Sequence, residues 1–202
     1  MNDKNVGENR RVKQSAWPVV AIAALCLGPF VVALLLYAGR DSFGGFELLP
    51  NPDRELFASP PTIPLEPLIL AGGGRSDPTW SRSRWSLIYA SSQPCEANCA
   101  AALERLDEVW LSLGGDRERV QRIVLMTEAP SGGAVPNGFV VGLLASLGGG
   151  MLIDLFGRER LGQGRYFVVD PLGNIILSYP DSADQQGLLD DLERLLSVSR
   201  VG

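Results

Sequence analysis

Cys95 and Cys99 stand four residues apart in Cys-Glu-Ala-Asn-Cys, and they are the side chains of this 202-residue chain best suited to chemistry. A thiol becomes a nucleophile and a soft-metal ligand when it ionises. The first turn of a helix favours the thiolate through its unpaired amide N–H groups and the positive end of its dipole. A helix beginning at the pair makes Cys95 the more acidic thiol, and Pro94 suits the entrance because its missing N–H has no helical acceptor there. On a regular helix four residues raise Cys99 about 6 Å above Cys95 on the same face, near the upper limit of Cα separation for a disulfide. With Cys95 at the loop-helix junction the pair can close. Three uses stand open: a structural disulfide, a redox-active pair, or two thiolates holding Cu(I).

The chain contains no histidine. That excludes Ser-His-Asp and Cys-His nucleophile pairs, His-ligated zinc or haem, and imidazole general-base chemistry. The third cysteine, Cys26, lies within an apolar run and reads as ordinary packing. Glycine triplets at 72–74 and 148–150 lack the Walker lysine and do not carry a strand into a helix, so they read as turns rather than phosphate cradles. Trp85 and Trp110 read as core or interface aromatics.

The elements that must position the cysteines follow from periodicity. The β-rich run 85–90 precedes the pair, and Leu103, Leu106, Val109, Trp110 and Leu113 recur at helical spacing until Gly114-Gly115 stops the helix. Residues 120–126 read as the next strand, and the apolar stretch 139–147 as a buried helix under the sheet. Tyr166-Phe167-Val168-Val169 and Ile175-Ile176-Leu177-Ser178-Tyr179 flank Asp170-Pro171-Leu172-Gly173-Asn174, which predicts a β-hairpin. Ser182 with Gln185 makes a capping box for a final helix whose apolar face is Leu188, Leu189, Leu192, Leu195 and Leu196. The expected order is strand, helix, strand, helix, strand, strand, helix.

Between Trp17 and Tyr37 no side chain is charged, and 21 residues at about 1.5 Å each span a hydrocarbon core of about 30 Å. The aromatic ends and the lack of an Ala-x-Ala cleavage site make this an uncleaved anchor rather than a signal peptide. Lys4, Arg10, Arg11 and Lys13 before it place the tail in the cytoplasm and everything after it across the membrane, which in a bacterium is the periplasm. The expected organisation is a cytoplasmic tail at 1–15, a transmembrane helix at 16–37, an extended Pro/Gly-rich stalk at 38–83 that adds one edge strand to the domain, and a folded domain at 84–202. Beyond the helix there are 14 arginines, no lysine and 21 acidic residues, 14 minus 21 giving a net charge of −7. Such a surface disfavours nucleic acid. The compartment permits disulfides.

The element order, with a cysteine pair where the first strand meets the first helix, resembles the thioredoxin-like fold: an α/β domain with a mixed central sheet and flanking helices. At Cys95-Glu96-Ala97-Asn98-Cys99 the chain further resembles the Sco family of membrane-anchored, thioredoxin-like copper chaperones for cytochrome c oxidase. The anchor, the stalk and the hairpin at Val169-Asp170-Pro171-Leu172-Gly173-Asn174 carry the same likeness. It is closer still to the Sco-like membrane proteins encoded beside cytochrome oxidase genes in proteobacteria. The resemblance implies an inner-membrane protein that assists oxidase assembly, with oxidase subunits or assembly factors as partners. Sco proteins complete a copper site with a histidine shortly before the hairpin, and here 157–165 offers Arg158, Glu159, Arg160 and Gln163 instead. A stable Cu(II) site is therefore not expected. Transient Cu(I) carriage by Cys95 and Cys99, or thiol-disulfide exchange by the same residues as a thiol-disulfide oxidoreductase, survives the loss. The alternative is a non-catalytic scaffold that binds oxidase subunits and uses the pair as a structural staple.

Overall fold

The computed structural model describes residues 25–29, 31, 51–130, 135–144 and 150–199. The chain divides into two units, Met1–Glu47 and Leu48–Gly202. In the first, residues 25–29 and 31 are helical, with Leu25, Leu27 and Val31 exposed and Cys26 free and exposed. The cytoplasmic tail, the rest of the expected membrane helix and the start of the stalk lie outside the described residues. Among the described residues no helix is long and apolar enough to cross a membrane.

The second unit contains β1 (Glu55–Leu56), β2 (Trp85–Ser91), α1 (Ala97–Ser112), a 3-10 turn (Gly114–Arg119), β3 (Val120–Met126), β4 (Val140–Leu143), α2 (Met151–Phe156), α3 (Arg158–Leu161), β5 (Arg165–Val169), β6 (Ile175–Pro180) and α4 (Gln185–Val198). The strands form one six-stranded mixed sheet in the order β1-β6-β5-β2-β3-β4. β2, β3 and β4 are parallel; β5 is antiparallel to β2 and to β6, and β1 is antiparallel to β6.

β2 is buried along its whole length because both faces of the sheet are covered. Leu87 and Tyr89 point into one core with Leu103, Leu106 and Val109 of α1 and Leu188, Leu192 and Leu196 of α4. Ile88 and Ala90 point into the other, with Leu152 and Phe156 of α2, Leu161 of α3, and Ile63, Leu68 and Trp80. The strand period of two sorts β3 and β5 in the same way, Val124 and Tyr166 to the first core, Ile123 and Phe167 to the second. Arg122 falls on the apolar α1 side of β3. It is held there by an ion pair with Asp107, with its guanidinium 3.8 Å from the centre of the Trp110 ring and 4.8 Å from that of Phe139.

The expected hairpin is present, with a bulge at Val168/Val169 that places Ile175 and Leu177 on opposite faces. Its turn works through its polar residues. Asp170 accepts from the backbone N–H of Leu172 at 2.9 Å and of Asn174 at 2.8 Å, and Gly173 takes φ +82°.

Three local expectations are corrected. Within 139–147, Val140–Leu143 is not a buried helix but the edge strand β4, parallel to β3, with Gly142 packed against Leu68 and Leu125. A run of four is too short for a helix, and pairing with β3 decides its conformation. The helices on that side are α2 and α3, further along. The final helix is capped by Asp184, which accepts from Gly187 N at 2.9 Å, rather than by Ser182. Residues 51–83 supply the expected edge strand, β1, but they are not only an extended stalk: Ile63 and Leu68 are fully buried in the second core, and Leu70 bridges to Gly142 at the opposite edge of the sheet.

Candidate functional site

β2 ends at Ser91, and the next turn is organised by that serine, whose hydroxyl accepts from Gln93 N at 3.1 Å. Pro94 and Cys95 follow. The helix itself starts later than the sequence suggested: Glu96 is the N-cap, in an extended conformation, and Ala97 is the first helical residue. Cys95 therefore precedes the helix, while Cys99 is the third residue of its first turn. This offset shortens the Cα separation to 5.0 Å, below the 6 Å of a regular helix, and Cys95 and Cys99 form a disulfide. Cys99 is 5% exposed and packs with the α1 core, whereas Cys95 is half-buried at its margin.

A cleft of about 300 Å³ opens beside the disulfide. It is lined by Pro94, Glu96, Asn98 and Cys99, by Gly162 and Gln163, and by Tyr89, Ser91 and Asp181. Three segments far apart in sequence meet here because β2, β5 and β6 are neighbours in the sheet. The loop before β5 is drawn in by backbone bonds, Ser92 N donating to Leu161 O at 2.9 Å.

Tyr89, which lines the cleft, sits in a tightly tied aromatic contact behind it. Tyr89 and Tyr166 lie with ring centres 5.6 Å apart. Tyr166 Oη donates to Ala102 O at 2.9 Å, and Arg105 Nη2 donates to Asp181 O at 2.7 Å, linking α1 to the segment after β6. Burial, with help from the nearby Asp181 charge, pushes the Tyr89 hydroxyl up to about 12. Burial also raises Tyr166, against the opposing pull of Arg105. Both phenols are therefore neutral donors at physiological pH and neither serves as a base there.

The structure thus joins the two predicted site residues, Cys95 and Cys99, and leaves Cys26 in the other unit. Sequence reasoning missed Tyr89, Asp181 and Gly164. For Gly164 a signal existed, a glycine just before a β-rich run, and the structure gives it φ +74°. The segment 157–165, where the Sco likeness would put a histidine, does come to the cysteines, and it presents the neutral amide of Gln163. Among the described residues no three Cys, Asp or Glu side chains are grouped to hold a metal. The donor set around the cleft does not fit a resident Cu(II).

Several solved structures share this fold. BsSco, described as a member of the Sco family of cytochrome c oxidase assembly proteins with a disulfide switch, aligns with TM-score 0.50 at 10% identity, covering 72% of this chain and 100% of its own. Arabidopsis thaliana ScoI with copper bound aligns with TM-score 0.51 at 13% identity, covering 68% and 99%. A Bacteroides thetaiotaomicron protein provisionally named a protein disulfide isomerase aligns with TM-score 0.51 at 13% identity, covering 68% and 87%. At such identities the likeness is one of fold. No curated protein sequence matches the chain. Residues 85–199, from the start of β2 to the residue after α4, match the model of the transmembrane-like, thioredoxin-like C-terminal domain, and the chain belongs to that family.

Proposed function

We propose that this protein is a membrane-anchored, periplasmic thiol-disulfide exchange protein that assists cytochrome c oxidase assembly by keeping cysteines of an oxidase subunit or assembly factor reduced. The observation that carries the reading is the Cys95–Cys99 disulfide beside a cleft of about 300 Å³ that Cys99 lines, with Cys95 half-buried next to it. In the reduced state Cys95, outside the helix and the more exposed of the two, attacks a partner disulfide as thiolate. One partner sulfur leaves as thiolate and a mixed disulfide forms. Cys99 then attacks the Cys95 sulfur, the partner's second sulfur departs, and two electrons have passed to the partner. The product is the disulfide seen here, which a dithiol donor must reduce before another cycle. The membrane and compartment assignments rest on the uncharged run at 17–37 and the basic tail before it; the oxidase assignment rests on the Sco likeness.

A Cu(I) cargo suits the same reduced pair, since two thiolates suffice for that ion. Anaerobic Cu(I) titration of the reduced chain tests this directly, and no copper retained against a moderate competitor removes the variant.

The exchange reading is tested by the redox equilibrium of the pair. A site that exchanges should equilibrate with periplasmic oxidoreductases, at about −120 to −270 mV, whereas a staple resists reduction below about −300 mV. A potential in the lower range, together with unchanged oxidase maturation in a strain carrying Cys95→Ser, overturns exchange and leaves the scaffold role.

A further inference from the structure

We propose that a second cleft, lined by arginine and sharing Gln163 with the disulfide cleft, docks a carboxylate-bearing segment of the polypeptide whose cysteines exchange with Cys95 and Cys99. The inference deepens the exchange reading and rests on it for the partner's identity.

This cleft, of about 420 Å³, lies between α3 and the start of β5 and carries Arg158, Arg160 and Arg165 against Glu55 and Glu159. Glu55 already shows what the site accepts. Its carboxylate takes Arg160 through Nε at 3.0 Å and through Nη2, lies 3.4 Å from Arg165 Nη2, and accepts from Ser178 Oγ at 3.1 Å. A single carboxylate is thus shared by two guanidinium groups, each of which has five N–H donors in a fork built for such anions. The Nε of Arg165 is buried and has no hydrogen-bond partner among the described residues. Burial weakens the hold of Arg165 on its proton, the Glu55 charge works against this, and neighbouring Arg160 adds to the weakening. A second carboxylate at the mouth would accept from the N–H groups of Arg160 that Glu55 leaves over and from exposed Arg158, in competition with Asp154, which lies 3.0 Å from Arg158 Nη2.

A peptide is favoured over a free anion by the shared wall. Gln163 separates the arginine cleft from the cleft that contains Cys99. A chain laid across it in extended form, at about 3.3 Å per residue, can present an acidic side chain to the arginines within a few residues of the reacting cysteine. The arrangement also opposes the global charge. The part of the chain beyond residue 39 has a net charge of −7, from 14 arginines and 21 acidic residues, so unspecific attraction ranks basic peptides above acidic ones. Docking at the arginines reverses that order.

The test uses the full chain, reduced, with peptides that carry one cysteine capped as a small mixed disulfide and, three residues away, two Glu, two Gln or two Lys. Exchange with the Glu peptide should run about tenfold faster than with the Gln peptide at low salt, with Lys slowest and the differences shrinking in 0.5 M salt. Arg158→Gln, at an exposed position, should reduce the ratio of Glu to Gln rates, and Arg165→Gln should reduce it further. Equal rates, or Lys fastest, overturn docking while the exchange reading stands. Serine versions of the peptides, read by fluorescence anisotropy, separate the two failures. If no peptide exchanges yet the serine Glu peptide binds more tightly than its Gln counterpart, exchange fails and the docking site remains. Inorganic phosphate or phosphatidylglycerol vesicles binding in preference to the Glu peptide, with the same dependence on Arg158, overturns the peptide assignment.

Discussion

Gly164 lies against the hydroxyl of Tyr89: a Cβ built on the glycine would overlap the tyrosine Oη and come within 3.2 Å of its Cζ, and the glycine has φ +74°. The close approach seats the loop before β5 against Tyr89, which lines the disulfide cleft together with Gln163 and Cys99. Gly164→Ala should then cost about 2–4 kcal/mol, part from the left-handed backbone and part from the overlap. Tyr89→Phe in the same chain should recover about 1 kcal/mol by removing the hydroxyl, a coupling that a double-mutant cycle in urea measures directly. Additive costs would show that the loop shifts away and that the contact does not hold it.

The buried tyrosines predict the alkaline limit of stability. Burial raises Tyr89 to about 12 and raises Tyr166 and Tyr179 as well. A phenol raised in the fold keeps its proton while the unfolded chain, with an ordinary value near 10, begins to lose it. Stability from these groups is complete below pH 10 and falls above it, by up to about 1.4 kcal/mol per pH unit for each tyrosine until its folded-state value is passed. Absorbance at 295 nm should show delayed ionisation of three of the four tyrosines, ending together with the loss of circular dichroism. Early, reversible titration of all four in the folded protein would contradict this.

Asp191 ties the N-terminal edge of the domain to its last helix. Its carboxylate is 4% exposed and accepts from Tyr179 Oη at 2.6 Å and from Arg54 Nη1 at 2.8 Å. Asp191→Ala removes the shared acceptor and leaves a mostly buried cation without this counter-charge, which should cost about 3 kcal/mol or more; Tyr179→Phe should cost about 1 kcal/mol. Limited proteolysis should also begin to cut near residue 54, since β1 is only two residues long. Equal costs for the two variants would mean that the ion pair contributes little beyond the tyrosine bond.

The sequence made legible what is local. β2, β3, the body of α1 and the hairpin show apolar periodicity or turn residues within a single window, and the structure places each of them close to the expected range. β4 was not legible, because Val-Val-Gly-Leu becomes a strand through its register with Ile123 through Met126, distant in sequence. The short helices α2 and α3, six and four residues long, offer too few turns for a period to show. The site divides in the same way. The cysteines announce themselves by type and spacing, whereas Gln163, Asp181 and Tyr89 reach the cleft only because β2, β5 and β6 are adjacent in the sheet. The pairing of Glu55 with Arg160 crosses 105 positions and leaves no local trace.

The offset of Cys95 from the helix predicts an asymmetry between the two thiols. Either Cys→Ser variant loses a cross-link that closes a five-residue loop, worth about 2 kcal/mol in the chain-entropy model, so the two should melt alike. Their chemistry should differ. Cys99→Ser keeps the more exposed thiol and removes the resolving one, so mixed disulfides with partner thiols should accumulate and survive non-reducing electrophoresis. With the free, exposed Cys26 changed to Ser in both variants, Cys95→Ser keeps only a thiol that is 5% exposed in the folded protein and should trap about tenfold less or lower still. Both variants should be compared at equal folded fraction, so that a difference in stability cannot imitate a difference in reactivity. Equal trapping by the two would remove the division of roles between attacking and resolving sulfur, and trapping by Cys95→Ser alone would assign the attack to Cys99, whose side chain lines the cleft.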